Sequence, residues 1–370
     1  MSDKPPAAPN QEHRYPCDTC GSDLRFDPAS AQLVCDFCGN TQPIQGAGRD
    51  AAKIVEIYFT SDVLGKKDLE TAEIRTATCP NCGALIEFDP AIHSTECPFC
   101  ATPVVVDTGT TRHIKPQGVL PFSVTERNGK KAMTDWLGAL WFAPSGLQEF
   151  ARKGRKLEGM YVPFWTYDAD TRSRYTGQRG TVYYVTETVM RDGKATQVQV
   201  QKVRWTPVSG RVQRFFDDIL ILGSKSLPKP FTDALAPWDL SALQPYTPEV
   251  LAGFRAEGYT IKVEEGVIEA RAHIKRVIER DVRFDIGGDR QQISNIDTDI
   301  SGLTFKHILL PVWMAAYKYR GKTYRFVVNG RTGRVQGERP WSTWKIAFAV
   351  LAGLTLAAIA GYIYAVAQGG

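Results

Sequence analysis

The sequence predicts an α+β protein: two small cysteine-rich modules, a mixed body of helices and antiparallel strands, and one apolar C-terminal helix. Three observations predict it. Eight cysteines fall in two blocks of identical spacing. A strand- and turn-rich stretch from about residue 107 to 340 is interrupted by amphipathic patterns. Near the end of the chain, 22 consecutive residues carry no charge.

The first block is Cys17, Cys20, Cys35 and Cys38; the second is Cys79, Cys82, Cys97 and Cys100. Fourteen residues separate the two Cys-x-x-Cys pairs in each. Gly21, Leu24, Phe26-Asp27-Pro28-Ala29 and Phe37 recur as Gly83, Leu85, Phe88-Asp89-Pro90-Ala91 and Phe99, which marks an internal duplication. Each Cys-x-x-Cys turn aims two sulfurs into one space. Two such turns on a short hairpin close a tetrahedral thiolate shell, the pattern of a structural zinc ribbon. A block of about 30 residues cannot bury enough apolar surface to fold alone. A bound metal would supply about 10–16 kcal/mol of apparent stabilisation. Two zinc ions are expected, one per block.

Four disulfides are the alternative, and they need an oxidising compartment. Residues 1–15 are polar and rich in Pro and Ala, without the apolar core of a secretion signal. Iron in a rubredoxin-like shell is a second alternative. With all four positions of each shell filled by sulfur, no open coordination position is left for catalysis. His93 therefore reads as a loop residue.

Residues Ile346 to Ala367 would make a helix of about 33 Å, long enough to cross a hydrocarbon core of about 30 Å. Trp341 and Trp344 precede this run, and Tyr362 and Tyr364 lie near its far end, as interfacial aromatics do. Arg331, Arg334, Arg339 and Lys345 come before it, and Gln368, Gly369 and Gly370 after it. Basic flanks stay on the cytoplasmic side, so residues 1–340 are expected in the cytoplasm. A reduced cytoplasm would also keep the thiols available for zinc. Ala349, Gly353, Ala357, Gly361 and Ala365 recur every four residues. Such a small-residue face lets helices approach closely in lipid, so homo-oligomerisation through it is expected.

The net charge of +5 conceals an asymmetry: residues 1–110 carry 8 Lys+Arg and 16 Asp+Glu, residues 111–370 carry 37 and 24. Within residues 77–106 stand Glu87, Asp89 and Glu96, with no Lys or Arg. Ribbons that grip nucleic acid need cations against phosphate, so nucleic acid is not the expected partner. The basic remainder suits a body near anionic lipid heads.

The domain boundaries follow. Residues 1–14 read as a disordered tail, 15–44 as ribbon one, 45–76 as a connector, 77–106 as ribbon two, 107–340 as the body and 341–370 as the anchor. Within the connector, Asp50 to Phe59 reads as helical. In the body, Lys130 to Phe142 and Leu147 to Arg155 read as helices. Strands are expected at Met160 to Tyr167, Thr181 to Met190, Thr196 to Trp205 and Val208 to Asp217, with a hairpin turn at Asp192-Gly193. Pro228 to Pro248 reads as loop. Glu249 to Glu257 and Val263 to Glu279 read as helices. Ile308 to Tyr319 and Tyr324 to Val328 read as strands. Val162-Pro-Phe-Trp165 resembles Leu310-Pro-Val-Trp313, so the body is expected to hold two related halves.

Ala316 to Thr323 fits the loose form of a phosphate-binding loop. Its Tyr-Lys-Tyr-Arg alternates like a strand and no helix follows, so it reads as a hairpin tip. Asp285-Ile-Gly-Gly-Asp289 reads as a turn, and His307 as structural. No catalytic or cofactor-binding residues are assigned, and no enzyme activity is expected.

The ribbons resemble that of transcription factor IIB and the zinc region of the primosomal helicase. A wider resemblance rests on the paired ribbons, Gly118-Val-Leu-Pro-Phe122, Val162-Pro-Phe-Trp165, Phe305 to Trp313, Val328 to Val335 and the apolar tail. Together these are similar to bacterial membrane-anchored zinc-ribbon proteins encoded beside phage-shock-protein-A-like and flotillin-like (SPFH) partners. The resemblance implies a single-pass protein of the bacterial inner membrane that scaffolds membrane-stress complexes. A membrane-tethered nucleic-acid-binding protein and an enzyme with a site in the α+β body are the alternatives.

Overall fold

Three strands of unusual length set the architecture: β1 (Glu158–Arg191), β2 (Lys194–Leu222) and β3 (Arg290–Tyr319). At about 3.3 Å per residue, β1 is roughly 110 Å long. The computed structural model describes residues 15–44, 54–60, 70–87, 94–100, 102–105, 109–143, 157–191, 194–319, 322–338 and 341–368. The four strands expected between residues 160 and 217 are fused into β1 and β2. The pairing of β1 with β2 runs on to Arg191 opposite Lys194, and the expected turn at Asp192-Gly193 lies outside the described residues. Pro207 does not break β2, because β2 is an edge strand and a missing N–H there costs no ladder bond. Burial alternates residue by residue from Ala169 to Tyr175, as a half-covered sheet requires.

β3 pairs antiparallel with β1 from Glu158↔Met314 to Gly180↔Arg290. Val162 lies opposite Leu310, so the two similar Pro-containing segments are neighbours in one sheet. β4 (Lys322–Asn329) extends the sheet beyond β3. Beyond Gly180 the hairpin of β1 and β2 runs on alone, Thr181 opposite Arg204 and Arg191 opposite Lys194.

Helix α1 (Glu126–Gly138) starts earlier than expected, because Thr125 caps it by accepting a bond from the Asn128 N–H. It ends before Leu140 and Trp141, which lie outside the helix. Helix α2 (Lys229–Ala234) is a short turn inside the Pro-rich stretch that reads as loop. Helix α3 (Val263–Ile286) runs past Glu279 and ends before Gly287 and Gly288, at φ +65° and +75°. Helix α4 (Thr343–Gln368) is the apolar run.

Two expected helices are corrected. Glu249 to Glu257 forms a 3-10 turn at Pro248–Leu251 and a strand at Arg255–Ala256. Gly253 sits at φ +79°, and the backbone bonds go elsewhere: Ala252 C=O accepts from Phe26, and Glu257 N–H donates to Tyr161. In the connector, Ile57–Tyr58 is a strand paired with Phe305 and Thr304. Residues 50–53 and the expected helix Leu147 to Arg155 lie outside the described residues.

The sheet has two faces with different covers. On one, Tyr161, Trp313 and Phe326 pack with ribbon one and with Met133 and Leu137 of α1. Further along the same face, Val267, Ala270, Ile274, Ile278 and Val282 of α3 cover Trp165, Tyr167 and Tyr175. On the other face, Met160, Val162 and Phe164 pack with ribbon two. The segment after the 3-10 turn holds both ribbons: Ala252 bonds Phe26 of ribbon one, and Gly258 N–H donates to Leu85 of ribbon two.

Candidate metal centres and the surface beside them

Each predicted cysteine shell comes together. In ribbon one the Cys17 and Cys38 sulfurs are 3.6 Å apart and Cys20 and Cys35 3.5 Å. In ribbon two Cys79 and Cys100 are 3.6 Å apart, as are Cys82 and Cys97. All ligand sulfurs of a shell lie within 4.8 Å of one another. A tetrahedron with metal–sulfur bonds of about 2.3 Å has sulfur edges of about 3.8 Å. A disulfide needs about 2.05 Å, and all eight cysteines are free. The donor sets fit a metal ion such as zinc.

The four Cys-x-x-Cys turns share one backbone design. Cys17, Cys35, Cys79 and Cys97 each donate an N–H to the carbonyl five residues on, Ser22, Asn40, Ala84 and Thr102. In three turns the glycine after the second cysteine (Gly21, Gly39, Gly83) sits at φ between +72° and +75° and donates back to the first cysteine. That left-handed step points both sulfurs inward, which explains the glycine repeat in the sequence.

Without a cation the four sulfurs of a shell compete for charge. Burial pushes the Cys17 thiol up, but N–H groups of Thr19 and Cys20 and the Asn40 amide overcome it and hold Cys17 down at about 6. Cys38 receives the Asn40 N–H, yet desolvation and the neighbouring sulfurs push it up to about 12. In ribbon two the Cys97 hydrogen bond leads in holding Cys82 down at about 5. A bound cation lets all four sulfurs stay ionised at once.

The two copies differ in what they show to solvent. Phe37, between Cys35 and Cys38, is 84% exposed, whereas its duplicate Phe99 is 0% exposed. Cys20 and Cys38 are exposed, whereas Cys82 is half-buried and Cys100 buried. Beside the Phe37 turn a cleft of about 540 Å³ opens between ribbon one, the first turn of α1 and the start of β1. Arg25, Asp36, Glu126 and Arg127 line its polar side, and Phe254 and Trp313 its apolar side. Its charges are partly paired, Arg25 with Asp36 at 2.7 Å and Arg255 with Glu158 at 3.6 Å.

An ion cluster around buried Lys306 and Asp168 is not legible in the sequence, because its members lie in four segments of the chain. Lys306 meets Asp218 at 2.8 Å, Asp168 at 3.1 Å and Glu56 at 3.2 Å. Burial works against the Lys306 charge, but Asp218 and Asp168 outweigh it and raise its pKa. Next to it, His307 is buried and its Nδ1 lies 2.8 Å from the Ile114 carbonyl. Burial, with the nearby His113, lowers His307 to about 4, so it is neutral. The described part of the phosphate-loop lookalike lies in strands, with Tyr319 of β3 opposite Lys322 of β4; residues 320–321 lie outside the described residues.

In α4, Thr343–Tyr364 has a mean hydropathy of 2.2 and is 0% buried, long and apolar enough to cross a membrane. Its base is stapled to the loop after α1. Lys345 Nζ donates to the carbonyls of Ala143 at 2.9 Å and Trp141 at 3.2 Å, and Ser342 N–H donates to Phe142 at 2.8 Å. Trp141, Trp341 and Trp344 are exposed around that base.

No protein-family model matches the chain, and no solved structure matches it. Over 354 residues it is similar, at 26% identity, to the uncharacterised protein YdjG of Bacillus subtilis (strain 168). The match covers 93% of this chain and 96% of that protein.

Proposed function

We propose that this chain is a membrane-anchored zinc-ribbon adaptor that captures a protein partner with ribbon one and uses ribbon two as a structural brace. The observation that carries this reading is the exposure of Phe37 on a metal-fixed turn whose duplicate is buried. A large aromatic held rigidly in solvent beside a cleft is a hot-spot arrangement, since ordering it on binding costs little entropy. The acidic surroundings of the ribbons favour a protein partner over nucleic acid. Each shell holds one zinc ion through its four cysteines. Helix α4 spans the bacterial inner membrane with the body in the cytoplasm, and the tryptophans around its base sit at the lipid interface. Phage-shock-protein-A-like and flotillin-like proteins are the partners to test first.

A photoreactive benzoylphenylalanine in place of Phe37, irradiated in native membranes, should give one adduct of defined mass. The same residue in place of Phe284, exposed on α3, should not give it. Absence of the adduct, or the same adduct from both positions, overturns the reading.

A further inference from the structure

Ribbon one presents ligand sulfurs to solvent that ribbon two keeps covered. Cys20 and Cys38 are exposed, while Cys79, Cys97 and Cys100 are buried and Cys82 is half-buried. With a cation in the shell all four sulfurs are thiolates, and the thiolate is the reactive form of cysteine. Hydrogen bonds to a thiolate stabilise its charge and so lower its nucleophilicity. Cys20 takes both the N–H and the hydroxyl of Ser22. For Cys38 the donor is the Asn40 N–H. Of the two exposed sulfurs, Cys38 is therefore the less hydrogen-bonded and the stronger nucleophile.

A second sulfur stands ready beside it. Cys17 Sγ lies 3.6 Å from Cys38 Sγ, and a disulfide bond is about 2.05 Å long, so an approach of about 1.5 Å would join them. Ribbon two holds the equivalent pair, Cys79 and Cys100, at the same 3.6 Å, but both of its sulfurs are buried. What differs between the two shells is access from solvent, not the spacing of the sulfurs.

We propose that Cys38 is a modification site for small two-electron oxidants of the peroxide class, and that Cys17 resolves the product to a disulfide that empties ribbon one and spares ribbon two. The inference rests on the reading of each shell as a zinc site. In the first step the Cys38 sulfur attacks one peroxide oxygen, the O–O bond breaks, and hydroxide leaves behind a sulfenic acid. In the second, the Cys17 thiolate attacks the Cys38 sulfur, the S–O bond breaks, and a second hydroxide leaves. The two sulfurs lose two electrons, the peroxide gains them, and both hydroxides take protons from solvent to become water. The shell then has two thiolates instead of four, too few to retain its ion, and ribbon one loses the stability that the ion supplied. Phe37 stands between Cys35 and Cys38 on the turn so released, so oxidation would undo capture at that tip.

The test uses the zinc-loaded full chain in nanodiscs, reduced and then freed of reductant, with its metal counted by elemental analysis. Hydrogen peroxide is added, released zinc is read with a chromogenic chelator, and the cysteines are mapped by alkylation and peptide mass spectrometry. One ion should leave at least tenfold faster than the other. The fast release should coincide with a Cys17–Cys38 disulfide, while Cys79, Cys82, Cys97 and Cys100 remain free thiols. Dithiothreitol with added zinc should restore the lost ion. Cys38→His keeps four ligands and removes the attacking sulfur, so it should hold two ions and slow the fast release at least tenfold. If that variant holds one ion, the disulfide mapped in the wild type decides. Equal release rates, earlier loss from ribbon two, or release without oxidation of Cys38 overturn the inference and leave the metal reading intact. A reduced preparation without metal overturns both.

Discussion

Ribbons one and two have the same cysteine spacing and the same turn geometry, yet one faces solvent and the other has become part of the core. Phe37 stands 84% exposed on ribbon one, while Phe99 shares a buried core with Met160, Val162, Phe164 and Leu310. The difference teaches that a metal site can do two jobs. In ribbon two the cation fixes a core; in ribbon one it fixes a tip. Duplication supplied two self-sufficient modules, and the sheet buried one aromatic and left its twin free.

Loss of one shell tests that contrast most severely. Cys97→Ser should lower bound metal from two ions to one and destabilise the body by about 3 kcal/mol or more, a fall in Tm of roughly 6–12 °C. Cys38→Ser should also lower the metal to one, with a much smaller change in body Tm. Elemental analysis with calorimetry reads both, and equal Tm shifts would break the comparison.

Truncating the duplicated aromatics comes next. Phe99→Ala should cost about 3–5 kcal/mol by leaving a core cavity. Phe37→Ala should fall within about 0.5 kcal/mol of wild type, as exposed substitutions do, while abolishing partner capture. Denaturant unfolding followed beside the cross-linking assay separates the two effects.

Acid should loosen ribbon two by way of His307. The strand Gly109–Ile114 pairs within the ribbon-two sheet, and His307 holds its end through the Ile114 carbonyl. Folded His307 titrates at about 4 against an ordinary 6.5, so between these values the unfolded chain binds a proton that the folded chain does not. Stability from this group is therefore fully present above pH 6.5 and lost as pH falls towards 4, by about 3 kcal/mol at most. His307→Gln should flatten that limb of the stability profile. An unchanged profile would remove His307 from the account.

The smallest effect belongs to ribbon one. The Arg25–Asp36 pair is exposed on both sides, so Arg25→Ala should cost under about 1 kcal/mol and less in high salt. A larger loss in chemical unfolding would mean that ribbon one is braced by the body more firmly than its exposure suggests.

Much of this was legible in the chain. The eight cysteines, the turn glycines Gly21 and Gly83 and the uncharged run of α4 are legible in local pattern, whereas Gly39 of the third turn is not part of the repeat. The apolar stripe of α3 is legible too, although its pattern ends at Glu279, seven residues before the helix does at Ile286. Glu249 to Glu257 reads as helix and is not one, because its backbone partners, Phe26 and Tyr161, are remote in the chain. The Lys306 cluster could not be found, since Glu56, Asp168 and Asp218 are brought to it only by strand pairing.

The sequence by itself determined what covalent spacing controls: two complete sulfur shells, their turn geometry, and one helix long enough for a membrane. Coordination within a block needs only that block, and helix length needs only consecutive residues. The tertiary structure alone decided which duplicated phenylalanine is buried, how far the strands fuse, and which face of the long hairpin stays open. These depend on contacts between segments far apart in the chain, which the shared pattern of the two Cys-x-Phe-Cys turns, with Asp36 in one and Pro98 in the other, does not contain.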